Sequence, residues 1–296
     1  MEKHIYLLII LLSFGYKILA QTYEDPNNAV HFSHEFDQSQ GRINFYSDNR
    51  DFCDYYLYIF FKNAEGFEGM PSRKWITVTR GRQQILTYRV KAGATRYSYN
   101  YQFVTYRGDY SKKPNIDFVY SLPIAAKEAL TAWIVENPEG YQLAFDLSAD
   151  TIYACRSGVM CNDNLKDFTA KGYKHFNNNR TRSQITLYHS DGSFGEYVFE
   201  GKSLVYPGEK VKIGSPIAVV DRTSQHALRF SVYFLDKNKL NNEIGNKHTH
   251  FRPFFQTVNE GKTRLEDGKT YLGECTDEML MQDMSKREKK NVLNKR

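Results

Sequence analysis

The chain has 296 residues, with 40 Lys and Arg against 34 Asp and Glu and a formal net charge of +6. Much of the excess lies in the last stretch, SKREKKNVLNKR (285–296), so the body is close to balanced and a strongly basic face for nucleic acid is not indicated. The 22 Tyr and 20 Phe suit sheet surfaces better than helices, and four cysteines are too few to be the framework of a disulfide-built fold.

In chain order, MEKHIYLLIILLSFGYKILAQ comes first. Lys3 supplies a positive start, Ile5 to Phe14 an apolar run too short to span a bilayer comfortably, and Ala20 a small residue before Gln21. The pattern predicts a signal peptide over 1–20, with an uncleaved N-terminal anchor as the alternative, and hence a periplasmic or secreted protein. Those residues hold Lys3, Lys17 and Glu2, so their removal takes +6 to +5. No later stretch approaches membrane-spanning length, and no transmembrane segment is expected after cleavage.

Residues 21–117 contain RINFYSD, YYLYIFFKN, KWITVTR, QQILTYRVK and YSYNYQFVTYRGD, alternating apolar and polar positions between turns rich in Gly, Asn and Asp. Period two with Tyr, Phe, Ile and Val predicts an immunoglobulin-like antiparallel β-sandwich, read as an accessory domain. His31 and His34 fall before its first strand and read as surface residues.

Residues 118–275 form the second tract. EALTAWIV passes for a helix or, bounded by Pro123 and by Pro138-Glu139-Gly140, for a strand. Strands then follow in LAFDL, TIYACR, GVMC, SQITLYHS, GEYVFEG, SPIAVVD, ALRFSVYFLD and FRPFFQTV. Ser190-Asp191-Gly192 is a hairpin turn signal, and Gly208 and Gly214 mark tight corners. Residues 276–296 are charged and Met-rich, a frayed helix or disorder. Cys155 and Cys161 flank a short turn and suggest a local bridge. Four free or buried thiols are a nearly equal alternative, and the pairing of Cys53, Cys155, Cys161 and Cys275 stays open.

Taken in order, five fragments of the second tract resemble the M23 (LytM/lysostaphin-type) zinc endopeptidases of bacterial cell walls. They are TIYACRSGVM, ITLYHSDGSFGEYVF, SLVYPGEKVKIGSPIAVV, LRFSVYF and RPFFQTVNEGKTRLEDGKTYL. The resemblance implies a mostly antiparallel β-domain with a groove across its sheet. It also implies a zinc held by two His and one Asp that polarises a peptide carbonyl and activates water. The family's His-x-x-x-Asp reads Gln142 to Asp146 here, its Tyr-x-His ends in Phe199, and its His-x-His reads Ala227-Leu228-Arg229. Four of these five site positions are changed and Asp146 survives. A neutral amide is a poor zinc ligand and a guanidinium has no lone pair to donate. Shifting the register to His226 puts Leu228 at the second ligand place.

The reading is therefore an all-β protein, a sandwich followed by an M23-like domain, with no catalytic residue, metal or other cofactor expected. Zinc would enter only if the site functioned. The expected role is a non-catalytic binding or regulatory module for a wall peptide or a protein partner in the old groove. The rivals are an active endopeptidase with a displaced metal set, such as Asp146 with His226 or the His248/His250 pair, and a structural surface component. Arg229 is expected to reach across to Asp146 where the zinc would sit. His189 reads as a packed structural residue, His175 as a solvated loop residue, and His248 and His250 as an edge-strand surface pair.

Overall fold

The structure, a computed structural model, describes residues 28–137, 140–165, 182–221, 226–240, 246–284, 287 and 289–290. The expected signal peptide and His175 lie outside those residues. The chain is all-β. Among the described residues no helix is long and apolar enough to cross a membrane.

Six strands make the first tract: β1 (Val30–Asp37), β2 (Arg42–Asn49), β3 (Tyr55–Glu65), β4 (Arg73–Val78), β5 (Gly81–Arg89) and β6 (Ser98–Arg107). They form two three-stranded sheets, β1-β2-β5 and β4-β3-β6. Alternation decides what each strand buries. Along β3, Tyr55, Leu57, Ile59 and Phe61 are buried, while Tyr58 and Phe60 stand on the other face with Trp75, which is 51% exposed. Phe32 and Phe45 stack with centroids 5.6 Å apart inside this core. His31 and His34 lie within β1, not before it, because the alternation Val30, Phe32 already runs through them; the His34 ring bonds the Tyr101 hydroxyl at 3.3 Å.

The second tract follows as β7 (Val119–Ser121), β8 (Ala129–Asn137), β9 (Gly140–Leu147), β10 (Thr151–Tyr153), β11 (Gly158–Met160), β12 (Ser183–Tyr188) and β13 (Ser193–Phe199). It continues through β14 (Gly201–Ser203), β15 (Lys210–Val211), β16 (Pro216–Val220), β17 (Leu228–Leu235), β18 (His248–His250), β19 (Phe254–Thr257), β20 (Gly261–Thr263) and β21 (Lys269–Leu272). EALTAWIV is a strand, β8, held between β9 and β21. The main sheet runs β15-β11-β12-β13-β17-β9-β8-β21, with β18 beside the far end of β17. Two small sheets, β10-β16-β14 and β20-β19-β7, complete the tract.

The turn chemistry acts as the sequence foretold. The Asp191 carboxylate accepts from the Ser193 N–H and hydroxyl, and Gly192 takes φ +89° to close the hairpin between β12 and β13. The segment after β21 does not fray at once. Thr276 caps a short helix α1 (Asp277–Gln282) by accepting from the Met279 N–H, Met279 is buried, and the Gln282 amide bonds both the N–H and the carbonyl of Val119.

The main sheet has two working faces. One carries Leu143, Phe145, Ile185, Leu187, Tyr197, Phe199, Leu228, Phe230 and Val232 into a core completed by Ile152, Ile217, Ala218, Tyr120 and Phe255 from the small sheets. On the other, Tyr188, Phe194 and Tyr233 are cross-strand neighbours and enter the sandwich core beside Phe32, Phe45 and Tyr55. Among the described residues no sheet is shared by the two tracts, yet this core is. The join is close: Gly208, at φ +90°, leaves its Cα against the Phe52 ring, where a Cβ would sit 2.2 Å from a ring carbon.

Candidate functional site

The sheet face that meets the sandwich at one end continues away from it as a strip of polar and aromatic side chains. Its composition follows from register. Arg229 on β17 stands opposite Ala144 on β9 and Val198 on β13, and Ala144 stands opposite Trp133 on β8. Directly opposed residues share a face, and residues two apart along a strand share it as well. Gln142, Asp146, Trp133 and Arg229 are thus gathered on this strip.

Phe199 is not among them. It stands opposite Leu228, which stands opposite Phe145, and all three point into the core on the reverse face. Ala227 is buried with that core too. The five positions drawn from the resemblance therefore do not converge on one point: three lie on the strip and two are core residues.

Asp146 is held by partners on both carboxylate oxygens. One carboxylate oxygen accepts from the Trp133 indole N–H at 2.8 Å. The other accepts from the His226 backbone N–H at 2.9 Å and lies 3.2 Å from the His226 ring nitrogen. His226 holds φ +54° to make this approach, and its ring meets Trp133 edge-on at 5.6 Å. Burial pushes the Asp146 carboxyl up, but the His226 and Trp133 donors outweigh it and hold the group below its ordinary value. Both members of the pair are open to water, 44% for His226 and 43% for Asp146.

The expected Arg229–Asp146 bridge is not formed. Trp133 and His226 take the carboxylate, and among the described residues Arg229 forms no ion pair, its Nε buried with no hydrogen-bond partner. Arg229 and Asp146 are offset by two residues on neighbouring strands, and the shorter reach belongs to His226.

A zinc ion does not fit these residues. Gln142 offers an amide, Arg229 a cation, and the Asp146 oxygens are already bonded. His226 leaves two candidate ligands where three are needed. His248 and His250 do not complete a set. They flank the Tyr233 ring at 5.2 Å each, the His248 ring bonds the Arg107 carbonyl at 2.8 Å, and the His250 ring lies against Gly140. They are half-buried packing groups, not a surface pair. Among the described residues, one group of three candidate ligands does converge, Asp51, Cys53 and Cys161, and it lies at the junction of the two tracts.

His189 is buried in the hairpin. Its Nδ1 donates to the Ser157 carbonyl at 2.8 Å, so the proton is on that nitrogen, while Nε2 has no partner and lies close to Gly195. Burial, reinforced by the nearby Arg156 charge, lowers its pKa to about 3, so the ring is neutral at physiological pH. The sequence missed Trp133 as the partner of Asp146. The signal was its place in β8, which is invisible while that stretch reads equally as a helix.

No family model matches this chain, and no curated protein or solved structure matches it either.

Proposed function

We propose that the protein is an exported, non-catalytic binding module on an M23-like scaffold, and that the strip beside Arg229 holds a peptide bearing a carboxylate. The observation that carries this reading is the Arg229 guanidinium, which faces the strip without an ion pair among the described residues while Asp146 is satisfied by other groups. A half-buried guanidinium without a counter-charge favours a planar anion that it can grip with two parallel hydrogen bonds. Gln142 and Trp133 on the same face supply an amide and an aromatic wall for the rest of the ligand. Peptide hydrolysis is not part of the reading, because two of the five family positions are core residues on the reverse face.

Titration calorimetry of the purified chain against short wall-type peptides, with a free or an amidated C-terminal carboxylate, tests this. The free acid should bind and the amide should bind at least tenfold more weakly, with Arg229→Gln erasing the difference. Equal binding of both forms would overturn the Arg229 role. Stoichiometric zinc uptake with peptide cleavage would overturn the non-catalytic reading and favour the Asp146–His226 pair as a working metal site.

A further inference from the structure

At the junction, the loop before β3 and the segment after β11 are pressed together. The Asn162 N–H donates to Asp51 at 2.6 Å, and Arg107 links Asp51 to Asp163 with bonds of 3.0 and 2.9 Å. Cys53 sits on one side of this contact and Cys161 on the other, both buried, with Asp51 beside them in a group whose sulfur and oxygen atoms all lie within 4.8 Å of one another. The two sulfurs are thus neighbours across 108 positions of sequence. Cys155 does not compete for Cys161. It belongs to the core on the reverse face of the main sheet, where its N–H donates to the Tyr197 hydroxyl at 2.7 Å. Cys275 lies against Gly214, away from the junction.

A metal is the other chemistry three such groups suggest, and the neighbourhood argues against it. The Asp51 oxygens already accept from the Phe52 and Asn162 N–H groups, the Tyr55 hydroxyl and the Arg107 guanidinium, as well as the Cys53 thiol. A cation arriving there would have to displace a buried guanidinium from its carboxylate. Two thiols side by side with no metal to hold are the precursors of a disulfide.

We infer that Cys53 and Cys161 are a modification site, a thiol pair that closes into a disulfide clasping the sandwich to the second tract. The step is an exchange with a disulfide-bearing thiol oxidant. Each sulfur gives up its proton, one S–S bond forms within the chain, and two electrons pass to the oxidant, whose own S–S bond breaks to two thiols. The sulfurs, now within 4.8 Å of each other, must close to about 2.05 Å, which asks for side-chain rotation and a small approach of the two segments. Burial, with the neighbouring Cys161, holds the Cys53 thiol well above its ordinary pKa, so attack by its thiolate is slow once the junction has closed. Closure of the bond therefore belongs to folding, before the junction seals, and the finished bond is shielded from reductants.

The test uses the full chain, refolded with a mixture of reduced and oxidised glutathione, alkylated in denaturant without reductant, and digested with trypsin. Cys53 falls in peptide 51–62, Cys161 in 157–166 and Cys155 in 128–156, so each pairing gives a different product. The expected result is peptide 51–62 joined to 157–166, with Cys155 and Cys275 alkylated. Cys53→Ser or Cys161→Ser should each leave the other thiol alkylated. The oxidised wild type should melt several degrees above its reduced form, a gap that the double variant loses. Alkylation of all four cysteines, a Cys155–Cys161 link, or zinc retained by the reduced chain and lost in the double variant would each overturn the inference.

Discussion

Arg156 offers the sharpest test of how the second tract is held. Its side chain is 3% exposed. It bonds Asp191 at 2.9 Å and Asp283 at 3.0 and 3.2 Å, and its guanidinium lies 3.7 Å from the centre of the Phe118 ring. One cation thus ties the hairpin turn to the segment just after α1. Burial pushes the Asp191 carboxyl up, but the Arg156 charge, with Ser193 and Asn115 donors, outweighs it and sets the pKa at about 2 against an ordinary 3.8. A depression of that size corresponds to about 2 kcal/mol. Part of that belongs to the other donors, and the Asp191 side chain keeps 14% of its surface in water. Against this discount stands the buried carboxylate left without its partner. Arg156→Met, which keeps the stem over Phe118, should therefore cost about 2–3 kcal/mol at pH 7. A carboxyl with a depressed folded pKa stabilises above its unfolded value and loses that stabilisation as pH falls through about 2. The gap between wild type and variant should be roughly halved at pH 3. Urea unfolding followed by Trp fluorescence at pH 7 and pH 3 measures it. A gap under about 1 kcal/mol at pH 7, or one unchanged at pH 3, would refute the reasoning.

His189 should make the wild type acid-sensitive. A histidine whose folded pKa is about 3 takes its proton first in the unfolded chain, so stability is lost as pH falls below about 6.5. His189→Gln should remove about 2 kcal/mol of the loss seen between pH 7 and pH 4.5, and parallel urea curves for the two proteins would contradict this. Gly208→Ala should cost about 2–4 kcal/mol, because its Cβ would strike the Phe52 ring, whereas Gly41→Ala, with nothing within 4 Å, should cost about 1–2 kcal/mol from its left-handed backbone alone. Equal melting shifts for the two would show that the junction yields freely. Asp146→Asn should change stability by less than about 1 kcal/mol, since its pair with His226 is open to water. A larger drop in the urea midpoint would mean that the strip carries structural weight.

Strand content was legible because alternation is local. YYLYIFFKN announces both that it is a strand and which residues it buries, since Tyr55, Leu57, Ile59 and Phe61 share one parity. EALTAWIV was not legible, because six apolar residues of eight without a clear period fit a helix face or a strand, and its neighbours β9 and β21 decide the matter. Phe199 shows where motif reasoning parts from geometry. In GEYVF the charge on Glu196 marks the outer parity, so Tyr197 and Phe199, on the other, belong to the core, a hint present in the sequence and outweighed by the family phrase. The cysteines show the opposite limit. Proximity along the chain favoured Cys155 with Cys161, but those two enter different cores on opposite faces of one sheet, and nothing local reveals that. Trp133, Asp146 and His226 meet for the same reason, through pairing between strands that a single sequence does not display.

The core shared by the two tracts has a consequence in time. Residues 30–107 leave the ribosome with Phe32, Phe45 and Tyr55 in place but without Tyr188, Phe194 and Tyr233, which close the same cluster. The last of these is synthesised 126 positions after Arg107, a delay of roughly 6–25 s at ordinary elongation rates. Throughout that interval the nascent sandwich has an open aromatic end, with the Cys53 thiol beside it and not yet sealed under Cys161. A segment in that condition is a client for whatever shields apolar surface on unfinished chains, and it is also when the thiol is most open to exchange.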